Sequence, residues 1–310
     1  MNLDKKIATR QSYGEALLEL GKRNHNIVVL DADLSESTKT CIFAKEFPER
    51  FFEMGISEQD MLSTAAGFAT TGLIPYASTF AVFATGRAYD QIRNSICYPN
   101  LNVKICASHA GITVGEDGAT HQMIEDINLM RGLPNMKVIS TSDDIQTRWA
   151  VDEISKINGP VYLRLGRYAT PVIYDENTKF EFGKGIQIGD GTDATVIATG
   201  ICVSEAIKAQ EKLKLEGINI RVIDIHTIKP IDRDIIIKSA KETKKIITIE
   251  EHNIIGGLGS SVCEVLSEEY PTKVTRMGIQ DTFGTSAPAA ELIKYFKLDS
   301  ESIIQTIKRK

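Results

Sequence analysis

The sequence predicts an α/β protein with two three-layer domains, each a mostly parallel sheet flanked by helices. Short runs of β-branched residues alternate with amphipathic helical patterns along most of the 310 residues, which is typical of parallel sheets covered by helices. The chain is longer than one ordinary domain of about 150 residues. A stretch rich in Gly, Pro, Asp and Thr interrupts the alternation once. We therefore expect a first domain over residues 1–170, a linker over residues 171–191 and a second domain over residues 192–310.

The alternation predicts strands and helices in both domains. In the first domain the strands are NIVVLDAD, IPYASTF, NVKICAS, MKVIST and PVYLRLG. The helices there cover residues 11–23, 60–71 and 143–157, where apolar residues recur at spacings of three and four. In the second domain the strands are TVIATG, INIRVIDI, KIITIEE and KVTRMGI, and a polar helix is predicted over residues 300–310.

Composition limits the partners and the compartment. With 36 Lys and Arg against 41 Asp and Glu, the chain has no general attraction to nucleic acid or to an anionic membrane. The polar N-terminus lacks the apolar core of a signal peptide, so a cytoplasmic location is expected. Five scattered cysteines predict reduced, mostly buried thiols rather than disulfides or a metal cluster: Cys41, Cys97, Cys106, Cys202 and Cys263.

One stretch without charged residues, residues 61–86, is long enough to cross a bilayer. Pro75 interrupts it, and its serines and threonines would be costly in lipid without hydrogen-bond partners. A buried helix followed by a strand is therefore expected instead of a membrane span.

An acidic residue, Glu58 in the segment GISEQD, stands at the start of a helix made almost entirely of small and apolar residues. Burial there favours a protonated carboxyl, which donates a hydrogen bond or shares a proton with a ring nitrogen. The alternative is an ordinary first-turn acid that the helix dipole stabilises.

Two phenylalanines, Phe80 and Phe83, lie three residues apart in STFAVFATGRAYDQ. A pair of rings on one face suits a flat heterocycle, while the alternative is that both are core residues. Further along, SHAGITVGEDGATHQ places His109, Asp117 and His121 in a Gly-rich loop after a strand. Such a loop suits acid–base work on hydroxyl groups, and the histidine spacing is too loose for a compact metal site.

These segments resemble the transketolase family. GISEQD, STFAVFATGRAYDQ, VGEDGATHQ and RGLPNMKVI follow each other as in that family, and ATRQSYGEALLELG and DADLSEST resemble the start of its pyrimidine-binding domain. TDATVIATG through EEHNIIGGLGSSVCEVL resembles its C-terminal domain. The resemblance covers nearly the whole chain and implies a subunit of a split transketolase, which moves a two-carbon ketol unit from a ketose phosphate to an aldose phosphate.

The resemblance also implies roles for single residues. Glu58 would hydrogen-bond the aminopyrimidine ring of thiamine diphosphate, while Phe80, Phe83 and Asp33 would line the cofactor. On the substrate side, the matching positions are the channel residue Ser37, the catalytic histidines His109 and His121, and the hydroxyl-binding Asp117.

A sugar phosphate needs cations, and the resemblance assigns them to Arg10 in ATRQ and to an arginine of YLRLGR. The spacing to Pro171 favours Arg167 over Arg164. One departure from the family is Gly86, where many transketolases carry a tyrosine beside the cofactor, so the pocket wall is expected to be thinner.

The family holds the diphosphate and Mg²⁺ through a GDG motif and a later asparagine in an N-terminal domain, which we do not expect before Met1. A GDG does occur at residues 189–191, with Asn219 downstream, but it precedes a predicted strand instead of opening a helix, and we read it as a linker turn. No metal ligand is therefore assigned to this chain. We expect a partner subunit with the diphosphate-binding domain, in an α2β2 assembly with self-association, and no activity of the chain alone.

Other classes remain open. The segment after Gly86 also resembles deoxyxylulose-phosphate synthase, a related thiamine-diphosphate enzyme, and a half of such a synthase is the first alternative. The β subunit of a 2-oxo-acid dehydrogenase is disfavoured because a small oxo acid has no use for VGEDGATHQ. A non-catalytic paralogue that only binds a partner is disfavoured by the full set of site residues, and no GxGxxG supports a plain nucleotide-binding domain.

Overall fold

A computed structural model describes residues 2–243 and 245–309, and the side chains from residue 4 onward. It has two sheets built mainly of parallel strands, each covered by helices on both faces. The predicted fold class is confirmed.

The first sheet has seven strands in the order β12-β6-β7-β5-β4-β2-β3. All neighbours are parallel except β12, which runs antiparallel to β6. The strands are β2 (Ile27–Asp31), β3 (Phe51–Glu53), β4 (Ile74–Phe80), β5 (Lys104–Ser108), β6 (Lys137–Ser140), β7 (Val161–Arg164) and β12 (Thr227–Lys229).

The second sheet has five strands in the order β14-β13-β10-β11-β9, with β9 antiparallel to β11. These strands are β9 (Ile186–Ile188), β10 (Ala194–Ala198), β11 (Ile220–Asp224), β13 (Ile246–Asn253) and β14 (Val274–Ile279). A separate antiparallel pair joins β1 (Asn2–Ala8) to β8 (Ala169–Val172).

The helices alternate with the strands. They are α1 (Thr9–Arg23), α2 (Ser35–Thr38), α3 (Cys41–Glu46), α4 (Glu58–Thr70), α5 (Tyr89–Gln91), α6 (Asp126–Arg131), α7 (Asp144–Lys156), α8 (Cys202–Leu215), α9 (Arg233–Glu242), α10 (Leu258–Glu269), α11 (Ala289–Tyr295) and α12 (Ser300–Lys308). Two π-helical turns, Phe83–Arg87 and Ile92–Cys97, flank α5, and short 3-10 turns cover Pro48–Arg50 and Ile112–Val114.

Apolar periodicity explains which faces are buried. On one face of the first sheet, α1, α3 and α7 form a core around Leu17, Phe43 and Val151. On the other face, α4 and the π-helical turns form a core that continues into α9 and α10 of the second sheet. The two halves of the chain therefore meet in this second core.

Every predicted strand is present, while five strands were not predicted: the seven-residue β1 and the short β3, β8, β9 and β12. The predicted linker over residues 171–191 contains the end of β8 and all of β9, so it is not without regular structure. β12, which lies in the predicted second domain, pairs with β6 of the first sheet. The boundaries at residues 170 and 192 stay a prediction.

The uncharged stretch over residues 61–86 folds into most of α4, then β4 and the start of the first π-helical turn. Within residues 2–243 and 245–309, no helix combines the length and the apolar character needed to span a membrane. Four of the five cysteines are buried, as predicted for mostly buried residues, and Cys263 is half-buried.

A buried ion pair joins the two halves. Arg164 at the end of β7 donates from Nε to Asp126 Oδ2 at 2.7 Å and from Nη2 to the backbone oxygen of Glu251 in β13 at 2.9 Å. Tyr162 also donates to Asp126, at 2.7 Å. Burial alone would raise the pKa of Asp126, but the Arg164 cation and these hydrogen bonds bring it below its usual value.

We predict that Asp126→Ala destabilises the protein by about 3–5 kcal/mol, because it leaves the buried Arg164 cation without its carboxylate. Denaturant unfolding would measure the loss. Glu19→Ala is the control, since it breaks an exposed pair with Lys22 and should cost no more than about 1 kcal/mol. Equal losses in both variants would contradict the prediction.

Candidate active site

The predicted site residues come from elements that end at one edge of the first sheet. Because β2, β4, β5 and β7 are parallel, their carboxyl ends meet there, where α/β proteins bind ligands. Phe80 ends β4 and His109 directly follows β5, while Arg167 lies three residues beyond β7. Asp33 and Ser37 follow β2, and Glu58 follows β3 as the first residue of α4.

Glu58 is buried, as predicted, with only 1% of the residue exposed. Its carboxylate is paired with a cation that the sequence did not suggest. Arg87 Nη1 donates to Glu58 Oε1 at 2.9 Å and to Oε2 at 2.8 Å. The Arg87 backbone oxygen also accepts a hydrogen bond from Gln59 Nε2 at 3.2 Å. The start of α4 and the π-helical turn that carries Arg87 are thus held together.

An aromatic wall lies beside this ion pair. Phe80 and Phe83 are nearly parallel, with ring centroids 5.8 Å apart and an interplanar angle of 10°. The Arg87 guanidinium carbon lies 4.3 Å from the Phe83 centroid, and the His121 ring contacts Phe83 edge-on at 5.6 Å. The two rings therefore form one stacked surface, and the planar Arg87 guanidinium lies on its Phe83 end.

Gly86 is exposed and a Cβ built there meets no atom within 4 Å, so the thinner pocket wall stays a prediction. Arg87, the next residue, is the side chain that covers Phe83 instead. The sequence offered no direct signal for this contact, since it depends on the π-helical turn.

His109 is the most constrained residue of the site. It adopts φ +58 and stacks on Phe80 with centroids 3.6 Å apart. Its Nδ1 is 2.8 Å from Ser108 Oγ, and its Nε2 is 3.4 Å from Arg10 Nη1. Burial, followed by the nearby cations of Arg10 and Arg167, lowers the pKa of His109 to about 3. The ring is therefore neutral at physiological pH and suited to accept a hydrogen bond.

Two arginines, Arg10 and Arg167, lie near the His109 ring. Arg10 donates from Nη1 to the backbone oxygen of Ser37 at 2.8 Å. Arg167 donates to the backbone oxygen of Val114 and lies 3.6 Å from a Glu116 carboxylate oxygen and 3.7 Å from one of Asp117. Burial and the charge of Arg167 lower the pKa of Arg10. The structure thus brings Arg10, Ser37, Arg167 and Asp117 to one side of the site.

Arg164, the alternative phosphate ligand, lies elsewhere. Its side chain is 6% exposed and its donors are taken by Asp126 and the backbone of Glu251. Arg167 has 36% of its side chain exposed at the site. The geometry therefore favours Arg167, as the spacing did.

The loop after β2 depends on Asp31, which sequence reasoning missed. Asp31 accepts hydrogen bonds from the Leu34 amide and from the Thr38 and Thr40 hydroxyls, at 2.6–2.8 Å. Burial raises its pKa to about 6. Asp33 in this loop is exposed with φ +60, and its amide donates to a Glu53 carboxylate oxygen at 2.7 Å.

The GDG at residues 189–191 lies between β9 and β10 and is followed by a strand, not by a helix. Asp190 accepts a hydrogen bond from Gln187 at 3.0 Å. Among the residues that the structure describes, no group of three or more His, Cys, Asp and Glu side chains is placed to hold a metal ion.

This sheet edge suits an enzyme that binds a flat heterocycle next to an anionic substrate. Residues 5–172 match the transketolase pyrimidine-binding domain, and residues 183–303 match the transketolase C-terminal domain. The chain belongs to the transketolase family, whose enzymes use thiamine diphosphate.

Three relatives indicate how the chain compares with whole enzymes. It is 54% identical to a putative transketolase C-terminal section of Methanocaldococcus jannaschii, over 96% of this chain and 94% of the relative. It is 38% identical to a 6-deoxy-6-sulfo-D-fructose transketolase subunit of a Clostridium species, over 96% and 92%. It is 40% identical to human transketolase over 98% of this chain but only 49% of the human protein, so it spans about half of that enzyme.

A solved structure of a split-gene transketolase, an inactive β4 tetramer, has the same fold. It is 53% identical to this chain, with a TM-score of 0.91 and coverage of 97% of both chains. A transketolase structure from Leishmania mexicana is 28% identical, with a TM-score of 0.82, and the chain covers 45% of it.

We predict that the His109 ring does not titrate between pH 5 and pH 8, because its folded-state pKa is about 3. Histidine NMR on ring-labelled protein would measure this, with His109→Gln to assign the signal. An unfolded histidine takes up its proton near pH 6.5, so the stability that the neutral ring contributes is complete above pH 6.5 and is lost as the pH falls towards 3. A midpoint near 6.5 in the folded protein would contradict the prediction.

Proposed function

We propose that this chain is one subunit of a thiamine-diphosphate-dependent transketolase that is active with a separate diphosphate-binding subunit. The observation that carries the proposal is the buried Glu58 carboxylate beside the stacked Phe80 and Phe83 rings. The carboxylate is buried and its cation partner, Arg87, is half-exposed, so an N–H donor of a bound ring would reach the carboxylate in place of Arg87. The reaction is the transfer of a two-carbon ketol unit from a ketose phosphate to an aldose phosphate.

The residues present fit the pyrimidine part of the cofactor. The planar Arg87 guanidinium lies over Phe83 while its N–H groups donate to Glu58. An aminopyrimidine ring offers the same two features, a flat face and N–H donors, and would make the same contacts. Glu58, Phe80, Phe83 and Asp33 are therefore the residues that we propose around it.

Bound thiamine diphosphate supplies the carbanion chemistry that a ketol transfer requires. The chain's own residues would orient the cofactor and the sugar and control the protons on them. The Glu58 carboxylate would hydrogen-bond a nitrogen of the pyrimidine ring and so control the proton on that nitrogen. The Phe80 and Phe83 rings would fix the plane of the pyrimidine. His109 is neutral and buried beside Phe80, so it would accept a hydrogen bond from a sugar hydroxyl. His121 would be the imidazole that exchanges protons with the sugar.

The substrate side carries two arginines, Arg10 and Arg167, beside the Glu116 and Asp117 carboxylates. Arg10 and Arg167 would bind the sugar phosphate, since a guanidinium makes two parallel hydrogen bonds to phosphate oxygens. Asp117, next to Arg167, and Ser37, whose backbone oxygen holds Arg10, would contact sugar hydroxyls.

The missing parts would come from a second subunit. The chain spans about half of human transketolase, and the similar split-gene protein is inactive as a tetramer of β chains alone. We propose an α2β2 assembly in which the partner carries the diphosphate and Mg²⁺ ligands. Ile56, two residues from Glu58, is 75% exposed, which fits a partner covering the site. The free thiols fit the cytoplasm as the proposed compartment.

The test is to purify the chain with a diphosphate-binding subunit encoded in the same genome, add thiamine diphosphate and Mg²⁺, and assay ketol transfer from xylulose 5-phosphate to ribose 5-phosphate. Each subunit alone is the control. We expect activity only in the mixture. Full activity of this chain alone would refute the proposed division, and consumption of pyruvate would point to the synthase of deoxyxylulose phosphate instead.

We predict that Glu58→Gln lowers kcat of the reconstituted enzyme about 100-fold to 10,000-fold, the usual range for a general acid–base group. Circular dichroism and thermal unfolding would verify that the variant is folded. Asp60→Asn, an exposed acid on the same helix turn, is the matched control and should keep its activity. Wild-type turnover in Glu58→Gln would rule out the cofactor assignment.

We predict that Arg167→Ala raises KM for a phosphorylated ketose about 10-fold to 100-fold, with little change in kcat. This factor corresponds to the free energy of one lost hydrogen bond to a charged group. Steady-state kinetics with the matching unphosphorylated sugar would test the phosphate contact, because that substrate should not distinguish the variant from wild type. Arg23→Ala, at an exposed pair with Asp152, is the control. An unchanged KM would remove Arg167 from the phosphate site.

A further inference from the structure

A glutamate of the second sheet reaches into the loop that carries the site histidines. Glu251 lies in β13 and is buried. Its Oε1 accepts a hydrogen bond from the backbone amide of Thr113, at 2.6 Å. Thr113 belongs to the 3-10 turn that follows His109 by three residues. The two bonded residues are 138 positions apart in the sequence.

The same carboxylate fits closely against Gly111. A Cβ built on Gly111 would lie 2.2 Å from Glu251 Cδ, and Gly111 has φ +79, a conformation that favours glycine. The Gly111 amide donates to the Met123 backbone oxygen at 2.7 Å, which ties the start of the loop to its end. The loop from residue 109 to residue 123 is therefore fixed at its base where Glu251 touches it.

Glu251 is itself held from the first sheet. Its backbone oxygen accepts the hydrogen bond from Arg164, and Arg164 is paired with Asp126. The preceding residue, Glu250, points to different partners, the amides of Leu258 and Gly259 at the start of α10, at 2.6 and 2.8 Å. The two adjacent glutamates are both buried but bind different elements: Glu251 binds the site loop and Glu250 binds the N-terminus of α10.

Gln122, near the end of this loop, makes a second contact between the loop and the second half of the chain. Gln122 donates from Nε2 to the backbone oxygens of Ile112 and Gly115, at 3.2 and 3.1 Å, and to that of Thr285 at 2.9 Å. Thr285 lies in the segment between β14 and α11. The second half of the chain therefore contacts the loop at its base through Glu251 and near its end through Thr285.

We propose that Glu251 is a positioning residue for the reaction: it fixes the loop over residues 109–123 so that His109, Asp117 and His121 face the substrate. This role rests on the proposed function, because it concerns the same site. It gives the second domain a part in substrate binding beyond assembly. Because the Thr113 amide has no other partner within hydrogen-bonding range among the described contacts, removal of the carboxylate leaves a buried donor unpaired.

The first arm measures the loop without any assay of activity. Amide hydrogen exchange, read by mass spectrometry on the purified chain, should show segment 110–118 exchanging about 10-fold faster or more in Glu251→Ala, as expected for loss of one buried hydrogen bond. Glu251→Gln keeps an acceptor oxygen and should restore slow exchange. Glu250→Ala is the matched control and should speed exchange at the start of α10 but not in the loop.

Gly111→Ala tests the same contact from the loop side, in case Glu251→Ala does not fold. The added methyl would meet the intact Glu251 side chain and would also strain the positive φ of residue 111, so exchange in segment 110–118 should rise as well. Unchanged exchange in both variants would overturn the proposal, whatever the activity of the complex.

The second arm uses the reconstituted enzyme. Glu251→Ala should raise KM for the phosphorylated ketose about 10-fold, from the loss of ordered hydroxyl contacts, with a smaller effect on kcat and rescue by Glu251→Gln. Faster loop exchange with unchanged KM would overturn the positioning role. Absence of ketol transfer in the wild-type mixture would instead refute the proposed function, so the two failures are distinguishable.

Discussion

The rest of the structure depends on the buried ion pair between Arg164 and Asp126. Charges in a dry interior need their partners at short range, because an unpaired one costs several kcal/mol. Arg164 meets its carboxylate on α6 and the Glu251 backbone on β13 at the same time, so the first sheet, α6 and the second sheet are fixed relative to one another. The loop that carries His109 and His121 runs between these fixed points.

The site that results is built from charges of unequal burial. Glu58 is buried against the half-exposed Arg87, while His109 is kept neutral by burial and by the two arginines next to it. Arg10, Arg87 and Arg167 lie in this site beside the carboxylates of Glu58, Glu116 and Asp117. The guanidinium groups are where an anionic ligand would bind on a chain whose net charge is −5. The neutral His109 ring offers a hydrogen-bond acceptor next to them.

Much of the fold follows from local patterns. Periodic apolar residues predict every strand of five or more residues within the two sheets, and the helices α1, α4, α7 and α12. The strands that were missed are mostly short, at sheet edges, or part of the β1–β8 pair. A strand such as β12, with three residues, is stabilised by its partner β6 and by the core beneath it rather than by its own propensity. Its pairing with the first sheet, across the predicted domain boundary, has no local signal.

The sequence by itself determined the fold class, the family resemblance and the positions of Glu58, Phe80, Phe83, His109 and Arg167 along the chain. Only the tertiary structure decided what these residues contact. In the folded chain, Arg87 donates to Glu58, the buried Arg164 donates to Asp126, and the Thr113 amide donates to Glu251. The reason is physical: periodicity and turn chemistry act over a few residues, whereas a buried polar group takes whichever partner packing brings within about 3 Å, however distant in the sequence.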